Sequence, residues 1–182
     1  RRNINLTYIV HNNETYGLTK GQTSPTAPKG TKSVSTPNGS IETAVNPIAL
    51  ALTGGATFIA KGFAGDIEGL SNLIAKGMLH SGFAIIDVAQ PCVSYNPKMS
   101  YQWLQENICK VEELSGYDIK NKIWSLTLAI EKKEQKIPIG IYYHSDTDRS
   151  AYLDELPEDK EVALVKQSIE NIDIEKLIDE YI

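Results

Sequence analysis

The chain has 182 residues, of which 41% are hydrophobic and 23% are charged, and its formal net charge is −5. These values are typical of one globular domain of ordinary size and argue against a disordered or fibrous protein. The sequence has neither the roughly 18 consecutive apolar residues of a membrane span nor the basic surface of a nucleic-acid-binding protein. Two cysteines do not make a disulfide framework, so we expect a reducing cytoplasm.

Charge is distributed unevenly along the chain. Residues 146–182 carry twelve acids and four bases, which predicts a solvated acidic segment. The stretch from Thr19 to Ser40 has three lysines and no acid. A locally positive loop of this kind favours a small anionic ligand.

Strands alternate with helices along the sequence. The β-rich run Leu6–Val10 predicts a buried strand, and Asn46, Pro47 and Gly54 have the positions of helix-terminal residues. Further strands are predicted over Ala56–Phe63, Phe83–Ala89 and Ile137–Tyr143, and further helices from Asp66 to about His80, Tyr101 to about Leu114, Lys122 to about Gln135 and Asp159 to Ile182.

This alternation predicts an α/β fold with a mostly parallel sheet and helices on both faces. In such sheets, ligands bind beyond the carboxyl ends of the strands. The segments expected at that edge are Asn12–Asn13, Ala89–Cys92 and the loop after Tyr143.

The segment from Thr19 to Ser40 has the Gly, Ser, Thr and Pro content of a flexible linker. Both of its flanks belong to the same alternating pattern, however, whereas a linker joins separate domains. Long irregular loops inside a compact domain are commonly functional, so we expect a functional loop here.

Two residue types near the start of this loop could take part in chemistry. Tandem asparagines after a strand are usually turn residues, but the amide oxygen of Asn13 and the main-chain oxygen of Thr15 also suit Mg²⁺. Lys20 is either a solvated lysine or a mobile positive charge for a substrate carboxylate. Taken alone, Cys92 and Cys109 are predicted to be inert thiols, with Cys109 inside a helix.

Four stretches of the sequence together resemble the β subunit of the 2-oxoacid:ferredoxin oxidoreductases, which use thiamine diphosphate. The stretches occur in the family's order over about residues 4–143, and they are "NNETYGLTKGQTSPT", "NPIALALTGGATFIAKGFAGD", "GFAIIDVAQPCVSYN" and "IPIGIYY". The resemblance implies a thiamine-diphosphate-binding fold. It also implies oxidative decarboxylation of a 2-oxoacid with CoA, giving acyl-CoA and CO₂, with electrons passed through a 4Fe-4S cluster to ferredoxin.

The resemblance also implies roles for individual residues. Asn13 and the Thr15 carbonyl match Mg²⁺ ligands, and Cys92 matches a ligand of the 4Fe-4S cluster. Leu18 matches a position that faces the reacting carbon of the cofactor, and Lys20 one that recognises the substrate. The cofactor-binding residues implied in this way are Asn13, Thr15, Tyr16, Gly17, Leu18 and Thr19.

The family has features that this sequence lacks. A Gly-Asp-Gly segment with a third Mg²⁺ ligand, and three further cluster cysteines, precede the matching region in the family. We therefore expect an N-terminally truncated domain over residues 1–120, followed by an extension over residues 121–182. By itself, such a piece is expected to be inactive.

The expected partners are the α subunit of the same enzyme, ferredoxin, a 2-oxoacid and CoA, and neither nucleic acid nor a membrane. Pyruvate and 2-oxoglutarate both stay open as substrates. Two alternatives also stay open. The chain could be a non-catalytic folding and assembly module, or it could be part of a thiamine-diphosphate decarboxylase that does not use ferredoxin.

Overall fold

The structure is a computed structural model that describes residues 2–131, 136–145, 151–152 and 166. In this part of the chain the strands are β1 (Leu6–Asn12), β2 (Thr15–Tyr16), β3 (Gln22–Thr23), β4 (Phe58–Phe63), β5 (Phe83–Ala89), β6 (Ile108–Lys110) and β7 (Ile137–His144). The helices are α1 (Pro47–Gly54), α2 (Ile67–Leu79), α3 (Tyr101–Asn107) and α4 (Lys122–Ile130).

Five strands form the main sheet in the order β1-β5-β4-β7-β6. Strands β1, β5 and β4 are parallel, whereas β7 runs antiparallel to β4. The predicted mostly parallel sheet is confirmed. Because β7 is reversed, His144 pairs with Phe58 at the start of β4. Ser145, which follows β7, donates from its amide to the Thr57 carbonyl at 2.9 Å and lies at the amino end of the parallel strands, so the predicted place of the loop after Tyr143 at the carboxyl edge is wrong.

Helices cover both faces of the sheet, as predicted. On one face, α1 and α4 pack over a core that includes Leu52, Ile59 and Tyr143. On the other face, α2 packs Leu70, Leu73 and Ile74 against buried residues such as Phe58 and Ile86. The two apolar layers leave the carboxyl edge of the sheet for polar residues.

The helix ends follow the sequence signals closely. The side chain of Asn46 accepts a hydrogen bond from the Ala49 amide at 3.0 Å, and Asp66 does the same for Gly69 at 2.9 Å. Such caps satisfy amides that have no partner inside the helix. The left-handed residue that ends α1 is Gly55, with φ of 83°, and not the predicted Gly54, which is the last helical residue.

Strand β1 differs from the expected buried strand. It lies at the edge of the sheet with β5 as its neighbour, and Leu6 and Tyr8 are 45% and 54% exposed. An apolar run predicts which residues form a strand, but it does not tell which position the strand takes in the sheet.

The predicted helix from Tyr101 to Leu114 is correct only in its first half. Helix α3 ends at Asn107, and the next three residues form β6, which pairs in parallel with β7. Cys109 therefore lies in a strand, because pairing with β7 outweighs the local helical pattern. Helix α4 begins as predicted and ends at Ile130.

Some predictions concern residues that the structure does not describe. The terminal helix over Asp159–Ile182 lies outside the described residues, apart from Lys166. The division into a domain over residues 1–120 and an extension over 121–182 stays a prediction.

Two leucines of α1 provide a test of the core. Leu52 is fully buried, and Leu50 on the same helix is 64% exposed. We expect Leu52→Ala to lower the free energy of unfolding by about 2–5 kcal/mol, since it leaves a cavity. The same change at Leu50 should alter it by about 0.5 kcal/mol or less. Urea unfolding of both variants measures the difference, and equal losses would contradict the packing described for α1.

Candidate functional site

Two loops meet at the carboxyl edge of the sheet. The parallel register aligns Asn12, the last residue of β1, with Ala89, the last residue of β5. Beyond this pair, the Gln90 amide donates to the Asn12 carbonyl at 3.0 Å. The loop that carries Asn13 and the loop that carries Cys92 consequently leave the sheet side by side.

The residues with predicted Mg²⁺ ligand atoms form a tight turn. The Asn13 amide oxygen accepts a hydrogen bond from the Thr15 amide at 3.1 Å, and Glu14 between them has a left-handed φ of 61°. Thr15 is buried, and its hydroxyl donates to the Gln22 carbonyl at 3.1 Å. An amide oxygen has two acceptor sites, so Asn13 keeps one for a cation.

The predicted cofactor-binding turn is the tip of a small hairpin. Strands β2 and β3 pair Tyr16 with Gln22, and the Gly21 amide donates to the Tyr16 carbonyl at 2.9 Å. Leu18 at the tip is fully exposed, and Lys20 has a left-handed φ of 66°. The hairpin thus presents an apolar side chain at its tip, with a lysine two residues further on.

The Cys92 loop packs against this hairpin through Tyr95 and Asn96. The Asn96 side chain donates to the Asn13 carbonyl at 3.1 Å, and its main-chain amide donates to the Cys92 carbonyl at 3.0 Å. The Tyr95 ring lies so close to Gly21 that a β-carbon there would be 2.6 Å from it. The structure therefore connects the loop of Cys92 directly to the turn of Asn13.

Beside this turn lies an ion pair that was not predicted from the sequence, with a fully buried carboxylate and a partly buried ammonium. The Lys61 ammonium on β4 lies 2.6 Å from the carboxylate of Asp87 on β5, and the Asp87 side chain is fully buried. The other carboxylate oxygen accepts from the Asn12 amide at 3.1 Å. The sequence feature that could have indicated this ion pair is a single charged residue in each of two otherwise apolar strands, "FIAKGF" and "FAIIDVA".

Glu14 adds a second carboxyl group to this region. Burial raises the pKa of Glu14 above its usual 4.5, and the negative charge of Asp87 raises it further. A hydrogen bond with the Asn96 side chain and the charge of Lys61 act in the opposite direction. The turn thus has charged groups of both signs around it.

The Thr19–Ser40 segment is held in place by its own hydroxyl groups. The Thr23 hydroxyl lies 2.6 Å from that of Ser33 and 2.7 Å from that of Thr36. Ala27 is buried, and the Val45 amide donates to the Pro25 carbonyl at 2.8 Å. The segment is therefore an ordered loop of the domain, although its linker-like composition would suggest otherwise.

An apolar groove of about 370 Å³ lies away from these residues. It runs between β1, α1 and the start of β5, and residues that line it include Tyr8, Val10, Leu50, Phe83 and Ile85. None of the predicted site residues contributes to it. The groove is thus separate from the two loops of the candidate site.

In the part of the chain that the structure describes, His, Cys, Asp and Glu residues do not come together in groups of three or more that could hold a metal ion. The helices of the same part are too short or too polar to span a bilayer.

Comparison with known proteins gives two family matches in succession. Residues 1–88 match the C-terminal thiamine pyrophosphate-binding domain of thiamine pyrophosphate enzymes. Residues 92–161 match the C-terminal part of the β subunit of pyruvate ferredoxin oxidoreductase.

Individual relatives agree with these matches. A 2-oxoacid:ferredoxin oxidoreductase β subunit from Sulfolobus is 40% identical over 178 residues, which cover 86% of this chain and 57% of the relative. One from Saccharolobus solfataricus is 40% identical over 154 residues, covering 80% and 50%. Among solved structures, this chain superimposes with a TM-score of 0.80 on a 2-oxoglutarate:ferredoxin oxidoreductase from Magnetococcus marinus, which has 2-oxoglutarate, coenzyme A and succinyl-CoA bound. The two sequences are 28% identical, and the match covers 99% of this chain and 59% of that one.

The family match over residues 1–88 and the structural superposition show that the mostly parallel sheet belongs to a thiamine-pyrophosphate-binding fold. The chain spans about half the length of the curated relatives it matches. It belongs to the family of 2-oxoacid:ferredoxin oxidoreductase β subunits, as its sequence had indicated.

The contact between the two loops can be tested at two glycines with similar backbones. Gly21 (φ 89°) lies against Tyr95, whereas Gly30 (φ 85°) has open space around the position of a β-carbon. Alanine should cost about 1–2 kcal/mol at each for the left-handed backbone. Gly21→Ala should cost about 1–3 kcal/mol more because it displaces the Tyr95 ring. Urea unfolding of both variants measures this, and equal losses would refute the packing of Tyr95 on the hairpin.

Proposed function

We propose that the chain acts within the β subunit of an enzyme that oxidatively decarboxylates a 2-oxoacid with CoA and passes the electrons to ferredoxin. The observation that carries this proposal is the 40% identity to 2-oxoacid:ferredoxin oxidoreductase β subunits over most of the chain. The position of Asn13, Thr15 and the Cys92 loop at one sheet edge supports it, since ligands of α/β sheets bind there.

In this proposal Asn13 and Thr15 hold the Mg²⁺ of a thiamine diphosphate. Neutral amide and carbonyl oxygens are ligands that Mg²⁺ accepts, and the ion commonly bridges protein to substrate phosphates. The turn that connects the two residues keeps their main chain in one conformation. When bound, thiamine diphosphate would serve as the electron sink for the charge that loss of CO₂ leaves on the former 2-oxo carbon of the substrate. The remaining Mg²⁺ ligands come from other parts of the enzyme.

The hairpin tip supplies the contacts to cofactor and substrate. Tyr16, Gly17 and Thr19 form the backbone turn against the cofactor, and Leu18 covers its reactive carbon and excludes water. Lys20 binds the carboxylate of the 2-oxoacid as a positive charge on a flexible stem. No acidic residue lies between Thr19 and Ser40 to compete for this lysine.

Cys92 serves as one ligand of a 4Fe-4S cluster in the intact subunit. Such a cluster takes four cysteine thiolates, and this chain has two cysteines, of which Cys109 lies on β6. The other ligands therefore belong to the rest of the subunit. Both thiols are unpaired, which suits a cytoplasmic enzyme. The partners in this proposal are the α subunit and ferredoxin.

The metal assignment is tested by Asn13→Ala in the full-length β subunit assembled with its α subunit. We expect Mg²⁺-dependent binding of thiamine diphosphate to weaken at least about tenfold, because a ligand atom is lost. The rate of ferredoxin reduction with 2-oxoacid and CoA should fall together with cofactor binding. Asn38→Ala, an exposed asparagine of the same loop region, is the matched control and should bind normally. Unchanged binding in the Asn13 variant would remove Asn13 from the site.

The substrate role of Lys20 is tested by Lys20→Ala in the same assembled enzyme. Loss of a charge-assisted contact corresponds to a KM for the 2-oxoacid that is about 10- to 100-fold higher. The exposed Lys29, in the same acid-free loop, provides the control Lys29→Ala. Steady-state kinetics with pyruvate and with 2-oxoglutarate measure the effect and identify the preferred substrate. Equal KM values in the two variants would contradict the assignment.

A further inference from the structure

Asp87 is a fully buried carboxylate near the end of β5, and burial of a charged group in an apolar strand is energetically unfavourable. In the register of the sheet it lies between Val10 of β1 and Lys61 of β4. Burying an ion pair costs several kcal/mol per ion, and replacement by apolar residues is often neutral or stabilising. The pair is therefore a poor way to stabilise a strand. A more specific role follows from its third member, Asn12.

A chain of hydrogen bonds leads from Asp87 through Asn12 to the candidate metal turn. The Asn12 amide nitrogen donates to Asp87 at 3.1 Å. The Asn12 amide oxygen accepts from the Thr26 hydroxyl at 2.7 Å and, in a longer contact of 3.4 Å, from the Glu14 main-chain amide. Glu14 is the residue between the two predicted Mg²⁺ ligands, and it has the left-handed backbone of the turn.

The chemistry of these groups determines which way the Asn12 amide points. An ionised carboxylate can only accept hydrogen bonds, and a main-chain amide can only donate. With Asp87 on one side and the Glu14 amide on the other, the side-chain nitrogen of Asn12 must face Asp87. Its oxygen must then face the turn. The second Asp87 carboxylate oxygen accepts from the Lys61 ammonium at 2.6 Å, so both oxygens of Asp87 act as acceptors.

We propose that Asp87, paired with Lys61, is a positioning residue that orients Asn12 and thereby holds the Asn13–Thr15 turn in the geometry that binds Mg²⁺–thiamine diphosphate. This inference rests on the proposed function. Residues that orient metal ligands typically change metal affinity by about 10- to 100-fold when they are replaced.

The first test is Asp87→Asn in the full-length assembled enzyme. The new amide presents its NH₂ group to Asn12 while its oxygen accepts from Lys61, so that Asn12 must rotate and present its own NH₂ to the Glu14 amide. We expect the Mg²⁺ concentration for half-maximal thiamine diphosphate binding, measured by calorimetry, to rise about 10- to 100-fold. At saturating Mg²⁺ and cofactor, kcat should return to near the wild-type value.

A second variant separates orientation from charge pairing. In the exchange Asn12→Asp with Asp87→Asn, the acceptor-only group moves to residue 12, where it accepts from the new amide, from Thr26 and from Glu14. We expect this double variant to recover most of the lost Mg²⁺ affinity. Failure to recover would mean that Asp87 acts only as the partner of Lys61, which would overturn the proposal.

A control and a metal-free measurement complete the design. Asp66→Asn removes a carboxylate elsewhere but keeps its cap of α2, and it should leave Mg²⁺ affinity unchanged. Hydrogen exchange of the metal-free protein should show faster exchange at the Glu14 and Thr15 amides in Asp87→Asn. Wild-type exchange and wild-type affinity in that variant would each overturn the proposal.

Two further variants keep the result interpretable. Should Asp87→Asn fail to fold, Thr26→Val leaves the ion pair intact and removes one bond to Asn12, and it should weaken Mg²⁺ binding about two- to tenfold. No change in that variant would overturn the proposal. Asn13→Ala is measured in parallel. Loss of binding there with none in the Asp87 and Thr26 variants refutes this inference alone, whereas normal binding in Asn13→Ala refutes the metal assignment itself.

Discussion

The parallel register between β1 and β5 is the constraint on which the site depends. Asn12 and Ala89 end their strands as paired neighbours, so the loops that follow must leave the same edge of the sheet. Asn13 and Cys92 are almost eighty residues apart in sequence, yet Asn96 bonds to the main chain of both. A shift of the register by one residue would also turn Asp87 to the other face of the sheet, away from Asn12.

Much of the fold could be predicted from local signals. The helix caps at Asn46 and Asp66 and the apolar strand Phe83–Ala89 are where the sequence placed them, because caps and short apolar runs act over a few residues. The reversal of β7 and the conversion of the predicted helix around Cys109 into β6 could not be predicted. Both depend on pairing between strands that are far apart in the sequence, and no local pattern records which strands will be neighbours.

The same distinction applies to the candidate site. The individual roles of Asn13, Thr15, Leu18, Lys20 and Cys92 come from family resemblance and stay predictions. Local sequence indicated that polar residues follow β1, but it gave no reason to connect them with Lys61 or Asp87. Each of these two residues is the only charged residue in an apolar strand. Their ion pair becomes evident only from the strand register, which places them side by side. The features that were not predicted, in the fold and at the site, thus all depend on pairing between strands that are far apart in the sequence.

Strand β1 has a consequence for handling the chain. Within the described residues its outer edge is not paired, and its seven residues include no proline, lysine, bulge or other feature that discourages strand addition. A cover that comes from the same molecule forms at a rate independent of protein concentration, whereas pairing between two copies becomes faster as concentration rises. Dilution during refolding therefore favours the correct cover over aggregation, and a concentrated preparation favours the reverse.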